Sequence, residues 1–379
     1  MGSGYRAGYG APALEGTNEI MRVSVTPETG EVLPGEVPTD QVLTDRRGHV
    51  GLIVLNRPKA INALTHGMVR QIAAALDAWE HDDSVATVVI AGAGERGLCA
   101  GGDIVAIHRA ATSGDPRAAE DFWRDEYHLN ARIARYPKPY VALMDGIVMG
   151  GGVGVSAHGG VRIVTERTRL AMPETAIGFV PDVGGTYLLS RAPGELGTHL
   201  ALTADSVGAG DALLCGLADH FVPADRLAAL LDDLAVLDVP AALARHTADA
   251  PVAVLAEHRG WIDDCYGAPT AEAIVERLLA VGVVEAKETA ERITAKSPTA
   301  VKVTLASVRR ARELGTLEDV LAQEYRVSCA ALRNPDVAEG IRAQVIDKDR
   351  TPHWQPAALQ DVDAATVERH FAPLGDREL

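Results

Sequence analysis

Between Met172 and Arg191 the chain reads M-P-E-T-A-I-G-F-V-P-D-V-G-G-T-Y-L-L-S-R. Two carboxylates, Glu174 and Asp182, stand in this otherwise apolar, Gly/Pro-broken stretch, with only Thr, Ala, Ile, Gly, Phe, Val and Pro between them. Carboxylates in such company lose hydration, which raises their pKa and suits them to proton transfer or nucleophilic attack. The same letters also fit a plainer role, Glu174 capping a turn and Asp182 opening one ahead of Gly184-Gly185.

Two glycine clusters bear on that choice. Gly101-Gly102 and Gly150-Gly151-Gly152 each follow an expected strand and precede an expected helix. Glycine at such a position costs about 0.5–1 kcal/mol relative to alanine, so a cluster needs a reason. Tight packing of strand on helix explains either one alone. Taken together, two loops that each offer a bare backbone N–H form an oxyanion hole, in which one donor contributes roughly 2.7–4 kcal/mol to a transition state. Neither cluster ends in Gly-Lys-Ser/Thr, and no G-x-G-x-x-G marks a strand–helix junction, which disfavours phosphate-loop and dinucleotide readings. Two donors followed by two acids suit a reaction in which an ester or thioester carbonyl gains negative charge.

The elements that must hold these groups alternate. His49 to Leu55 is an apolar strand ended by Asn56-Arg57-Pro58. Asn62 to Glu80 spaces Leu64, Met68, Ile72, Ala75, Leu76 and Trp79 at helical intervals. Val85 to Ala91 is a buried strand running toward Cys99-Ala100-Gly101-Gly102-Asp103. Ile104 to Arg135 reads as two helices broken at Ser113–Pro116, and Pro139 to Ile147 as a strand entering the second glycine cluster. Val161–Thr165 and Arg169–Met172 are two further short strands. Beyond about Pro223 the strand signals stop, and Leu227–Leu237, Val252–Glu257, Ala271–Lys296, Thr299–Glu313 and Leu317–Leu332 read as helices. The pattern is α/β. Its expected divisions are a mobile extension over 1–41, an α/β core over 42–225 with the glycine loops and acids, and a helical region over 226–379.

Composition narrows the function class. A net charge of −16 over 379 residues argues against nucleic acid and against an anionic membrane surface as partners. The most apolar run, Tyr140 to Ala157, carries Asp145 and five glycines and is no membrane span. Cys99, Cys215, Cys265 and Cys329 are scattered, with no zinc or disulfide spacing, which indicates a reducing compartment. Cys99, beside a glycine loop, reads as a small buried residue rather than a nucleophile. His66, His108, His128 and His158 show no ligand spacing, so no metal is expected. The first residues lack a basic start with an apolar stretch, and Glu15, Glu19 and Glu28 speak against a transit peptide, so the expected location is cytoplasmic.

L-N-R-P-K-A-I-N-A-L, C-A-G-G-D-I, G-I-V-M-G-G-G-V-G and A-M-P-E-T-A-I-G-F-V-P-D-V-G-G resemble the crotonase superfamily, the enoyl-CoA hydratase/isomerase family, over about residues 42 to 354. F-W-R-D-E-Y at 122–127, P-E-T-A-I-G-F-V-P-D-V-G-G at 173–185 and E-G-I-R-A-Q-V-I-D-K-D-R-T-P-H-W at 339–354 resemble its 3-hydroxyisobutyryl-CoA hydrolase branch. The resemblance implies a spiral of ββα units followed by a helical C-terminal region. It implies Gly102 and Gly151 as the oxyanion hole, Glu174 as the catalytic glutamate, Asp182 as its acidic partner and Glu126 as a substrate contact. No separate cofactor is implied, because coenzyme A belongs to the substrate. Coenzyme A is polyanionic, so an acidic chain needs local cations; Arg57, Lys59 and Lys348 are the candidates, and ordinary surface charge is their alternative role.

The family's hydratases carry a second glutamate where this chain has Gly154. Hydration of a double bond needs an acid and a base, so that position discriminates. Hydrolysis of a short branched 3-hydroxyacyl-CoA thioester, as in valine breakdown, is therefore the leading expectation. A hydratase or isomerase of the same family and a non-catalytic CoA-binding protein are the alternatives. Family members often form trimers, but a long helical C-terminus can also fold back over its own subunit, so a homo-oligomer stays open.

Overall fold

The computed structural model describes residues 40–379, so residues 1–39 of the expected extension lie outside the described residues. Residues 40–41 do not belong to an extension: the Gln41 carbonyl accepts from Asn56 N and its side chain accepts from Thr65 Oγ1.

Nine strands form two sheets. They are β1 (Val42–Arg47), β2 (Val50–Leu55), β3 (Thr87–Gly92), β4 (Gly97–Cys99), β5 (Tyr140–Met144), β6 (Ile147–Met149), β7 (Val161–Val164), β8 (Arg169–Ala171) and β9 (His220–Phe221). The larger sheet runs β1-β2-β3-β5-β7-β9 and the smaller β4-β6-β8. Only β1 pairs antiparallel, with β2; every other pairing is parallel. The order encodes a repeat. β3, β5 and β7 each enter the large sheet, and the strand that follows each of them enters the small one. Helices close each turn: α1 (His66–Glu80) follows β2, α2 (Ile104–Ser113) and α3 (Arg117–Ala134) follow β4, and α4 (Gly151–Gly154) follows β6. This is an α/β spiral of ββα units.

The apolar runs have a simple cause. On one face of the large sheet Ile53, Leu55, Val88, Ile90, Ala142 and Met144 join the main core. On the other, Leu52, Val54, Val89, Val141 and Leu143 pack under Leu227, Leu230, Leu231, Leu234 and Val239. A parallel sheet covered on both faces loses the polar alternation of a half-exposed one. The helices beyond residue 226 thus complete both cores.

Four boundaries differ from the sequence expectation. The first helix starts at His66 and not Asn62, because Ile61 and Asn62 sit at φ 48° and 55° and Thr65 caps the helix by accepting from Met68 N. The expected strand 139–147 is two strands in different sheets, broken at Gly146 (φ 66°). The expected helix 271–296 divides at Gly282 (φ 77°) into Ala271–Ala280 and Val284–Thr294. The expected helix 252–257 begins only at Leu255 and runs on to Tyr266. Once begun, α1 buries Met68, Val69, Ile72, Ala75, Leu76 and Trp79 along one stripe, each large side chain contributing roughly 1.5–3 kcal/mol.

Candidate active site

Asn62 shows how the local sequence builds the site. Its amide donates to the carbonyls of Ala93, Gly97 and Leu98, and its Oδ1 accepts from Arg57 N. One fully buried side chain therefore locks the turn after β2 onto β4, the strand that delivers Gly102. Asparagine suits the position because it tolerates a left-handed backbone. Leu64 then pairs with Gly102 in an isolated parallel bridge that uses Leu64 N and Asp103 N and leaves Gly102 N unused.

Gly151 opens α4, so its N–H has no acceptor within the helix. Neither it nor Gly102 N has an acceptor among the described residues. The two amides are neighbours: a Cβ on Gly151 would stand 3.3 Å from Gly102 N. The glycine cluster is required by the acids around it. A Cβ on Gly151 would lie 2.6 Å from Glu126 Oε1, and one on Gly150 (φ 49°) 2.8 Å from Glu174 Oε1. A side chain at either position would occupy the space in which the carboxyls meet the loop.

Glu126 sits on the buried face of α3, Glu174 opens the 3-10 turn Glu174–Ile177, and Asp182 follows it before the helix Gly185–Ser190 (α5). All three acids and both glycines line one cavity of about 230 Å³. Trp123 and Phe179, stacked at 5.4 Å with 10° between planes, form an apolar wall. Val337, Ile341 and Gln344 close the cavity from the C-terminal region. The acids expose only 2–6 % of their surface. Glu126 Oε1 and Glu174 Oε2 have no hydrogen-bond partner among the described residues. Buried polar atoms in that state are satisfied by whatever enters the cavity.

Electrostatics follow from crowding. Burial, then the charge of Asp182, pushes Glu174 and Glu126 well above the usual carboxylate range. Burial pushes Asp182 up to about 7, against the hydrogen bond from Tyr127, which lowers it. Tyr127 donates to Asp182 Oδ2 at 2.7 Å. Asp182 is thus the first of the three carboxyls to ionise as the pH rises toward about 7, and its charge holds the protons on the other two. A reaction that needs one of them ionised should rise with slope near one in log kcat/KM below about pH 7 and level off above it. A flat profile from pH 5 to 8 would contradict this arrangement.

The other expected site residues lie elsewhere. Arg57 is spent on structure: its guanidinium pairs with Asp103 at 3.1 Å and donates to the Ala63 carbonyl. Lys59 is exposed after β2 and Lys348 is exposed beyond Ile341; none of the three cations lines the cavity. Cys99 is fully buried, its thiol pushed up to about 12 by burial, and it donates to the Asn62 carbonyl. Sequence reasoning missed Tyr127, although it adjoins Glu126 in F-W-R-D-E-Y. It also missed the C-terminal wall, since side chains some 160 residues from Glu174 leave no local trace of their target.

Comparison with known proteins identifies the family. A family model described as enoyl-CoA hydratase/isomerase matches residues 50–371. The mitochondrial 3-hydroxyisobutyryl-CoA hydrolases of Rattus norvegicus and Homo sapiens are 44% and 42% identical over 352 and 351 residues, covering 90% of this chain and 91% and 90% of theirs. A crystal structure of a carnitinyl-CoA dehydratase from Mycobacterium thermoresistibile is 56% identical, with a TM-score of 0.86 over 89% of this chain and 97% of that one.

Proposed function

The chain belongs to the enoyl-CoA hydratase/isomerase family, and from that premise we propose that it hydrolyses a short branched 3-hydroxyacyl-CoA thioester, 3-hydroxyisobutyryl-CoA or a close analogue, to the free acid and coenzyme A. The observation that carries this reading is the surroundings of Gly154. A Cβ there would lie 2.7 Å from Val183 Cβ and 2.9 Å from Asn130 Nδ2. The place of the hydratases' second glutamate is filled from two sides, and every acid of the cavity stands on other walls. Addition of water across a double bond, or its reverse, lacks its second acid–base group at that wall, and Asp182 would have to substitute from another. This weighs against carrying over the dehydratase title of the related crystal structure, whereas the names of the rat and human relatives agree with hydrolysis.

In the proposed reaction the thioester oxygen accepts from Gly102 N–H and Gly151 N–H. Glu174 either attacks the carbonyl carbon, expelling the thiolate and leaving a mixed anhydride that water cleaves, or removes a proton from water that attacks directly. Asp182 orients the water or the substrate hydroxyl and passes a proton to the departing sulfur. Glu126 receives the substrate hydroxyl. In single-turnover hydrolysis in ¹⁸O-labelled water, label in Glu174 establishes the anhydride route, since it enters that carboxyl only when water cleaves an anhydride at the glutamyl carbonyl. The polyanionic end of coenzyme A is left to Lys59 and Lys348, which have no side-chain partner among the described residues. Such a substrate belongs to valine breakdown. The four cysteines are unpaired and buried, which supports work in a reducing compartment, the cytoplasm. No described helix is long and apolar enough to cross a membrane.

The direct test follows two signals: thiol release from 3-hydroxyisobutyryl-CoA with a chromogenic disulfide, and loss of enoyl absorbance from crotonyl-CoA. The first signal alone is expected. The second alone would replace hydrolysis by hydration.

A further inference from the structure

The turn that carries Asp182 is strained, and the C-terminal helix Leu317–Ala331 holds it. Val183, β-branched, sits at φ 53°, a region such residues rarely occupy. Backbone in that state persists only where its surroundings over-determine it. Here they do. The Asp182 carbonyl accepts from Gly185 N at 2.6 Å. The Val183 carbonyl accepts from His158 Nε2 at 2.8 Å, which makes that ring nitrogen the donor. Glu324, 1 % exposed, supplies the rest: Oε2 accepts from Gly184 N at 2.6 Å, and Oε1 accepts from Thr186 N at 2.9 Å and Thr186 Oγ1 at 2.5 Å.

One turn further along the same helix, Ser328 reaches the other side of Asp182. Tyr127 gives its only hydroxyl proton to Asp182, so the 2.9 Å contact between Tyr127 Oη and Ser328 Oγ is donated by the serine. Glu324 and Ser328 both interrupt the buried stripe that Val320, Leu321 and Val327 form on this helix. Polar side chains at core positions are where a fold departs from stability for a purpose.

We propose that Glu324 is a positioning residue for the reaction: it clamps the strained Asp182–Val183–Gly184 turn from behind, while the relay Ser328–Tyr127 aims and tunes the Asp182 carboxyl. Glu324 touches no substrate, since it lies outside the cavity lining. It acts through the backbone that fixes where Asp182 points. The inference rests on the catalytic reading of Asp182 given above.

The Glu324→Gln variant tests it. Its carbonyl oxygen can keep both Thr186 bonds, but its NH₂ then opposes Gly184 N–H, so only the bond beside the strained residue is lost. A displacement of the order of 1 Å at a reacting group can cost about a hundredfold. The expected result is a kcat about 10- to 100-fold below wild type, with KM within about threefold. The Tyr127→Phe variant supplies a second readout. Asp182 also faces Glu126 on α3 and Glu174 on the 3-10 turn; Glu324 lies behind it, and His158, held neutral by burial, binds the next carbonyl. Against those unchanged groups, loss of the tyrosine donor should move the acid limb of kcat/KM upward by about one pH unit.

A folded Glu324→Gln enzyme with kcat within twofold of wild type overturns the proposal, whatever happens to its melting temperature. So does an unmoved acid limb in Tyr127→Phe. If wild type releases no thiol but hydrates crotonyl-CoA, the hydrolase reading falls and the same variant-to-wild-type ratios are read on hydration, where they decide the positioning role independently.

Discussion

Glu174→Gln should abolish thiol release, lowering kcat by at least ~10³-fold, while making the protein more heat-stable at alkaline pH. The first half follows from its place in the cavity beside the two free amides, where the proposed reaction makes it the nucleophile or the base. The second follows from linkage. Glu174 has a folded-state pKa well above its ordinary value, because burial and Asp182 disfavour its charge. The folded state therefore holds this proton more tightly than the unfolded chain does. That contribution is complete below about pH 4, the unfolded value, and is lost as pH rises through the folded value. A neutral glutamine removes the loss. The melting temperature of Glu174→Gln should match wild type near pH 4 and exceed it by at least about 2–4 °C near pH 8. Calorimetry at both pH values checks the sign. A variant less stable than wild type at pH 8 would show that the carboxylate is not held against its own charge.

Gly151→Ala should be nearly as damaging, for a different reason. A methyl group there meets Glu126 Oε1 at 2.6 Å, Leu64 Cδ1 at 3.1 Å and Gly102 N at 3.3 Å. It alters one of the two free amides proposed as the oxyanion hole, crowds the other and displaces the Glu126 carboxyl at once. Loss of a single donor costs roughly 10²–10³ in kcat, and that is the expected range. Binding of coenzyme A should change little, since the cations proposed for its polyanionic end, Lys59 and Lys348, do not line this cavity. Steady-state kinetics with product-inhibition constants separates the two effects. Unchanged kcat in Gly151→Ala would mean that the thioester oxygen sits elsewhere.

These two predictions rest on different kinds of information. Glu174 stood out as an acid in an apolar, Gly/Pro-broken segment, a setting that fits a turn cap as well as proton transfer, and only the family resemblance singled out the second role. Gly151 was legible only as part of a pair of clusters, since one cluster alone fits tight packing equally well. The need for glycine there came from the structure, which aims Glu126 and Glu174 at the loop from two other elements. Cys99 lay beside a glycine loop in sequence, and the fold turned its thiol into the core. The Arg57 cation followed a strand end, as a phosphate contact would, and the fold gave it to Asp103 and a backbone carbonyl.

By itself, the sequence determined the local chemistry: which residues could carry charge without water, where the backbone lacked side chains, and where strands and helices alternated. Those are properties of composition and of spacings within a few turns. Tertiary structure alone decided convergence. The three acids come from a helix, a 3-10 turn and a loop, and become one cluster only because the ββα spiral stacks their elements. It also decided that a helix at 317–331 braces a turn at 182–186, through hydrogen bonds spanning some 140 residues. Hydrogen bonds and charge coupling fall off over a few ångströms of space and are indifferent to distance along the chain, so no reading of neighbours in sequence could have found them.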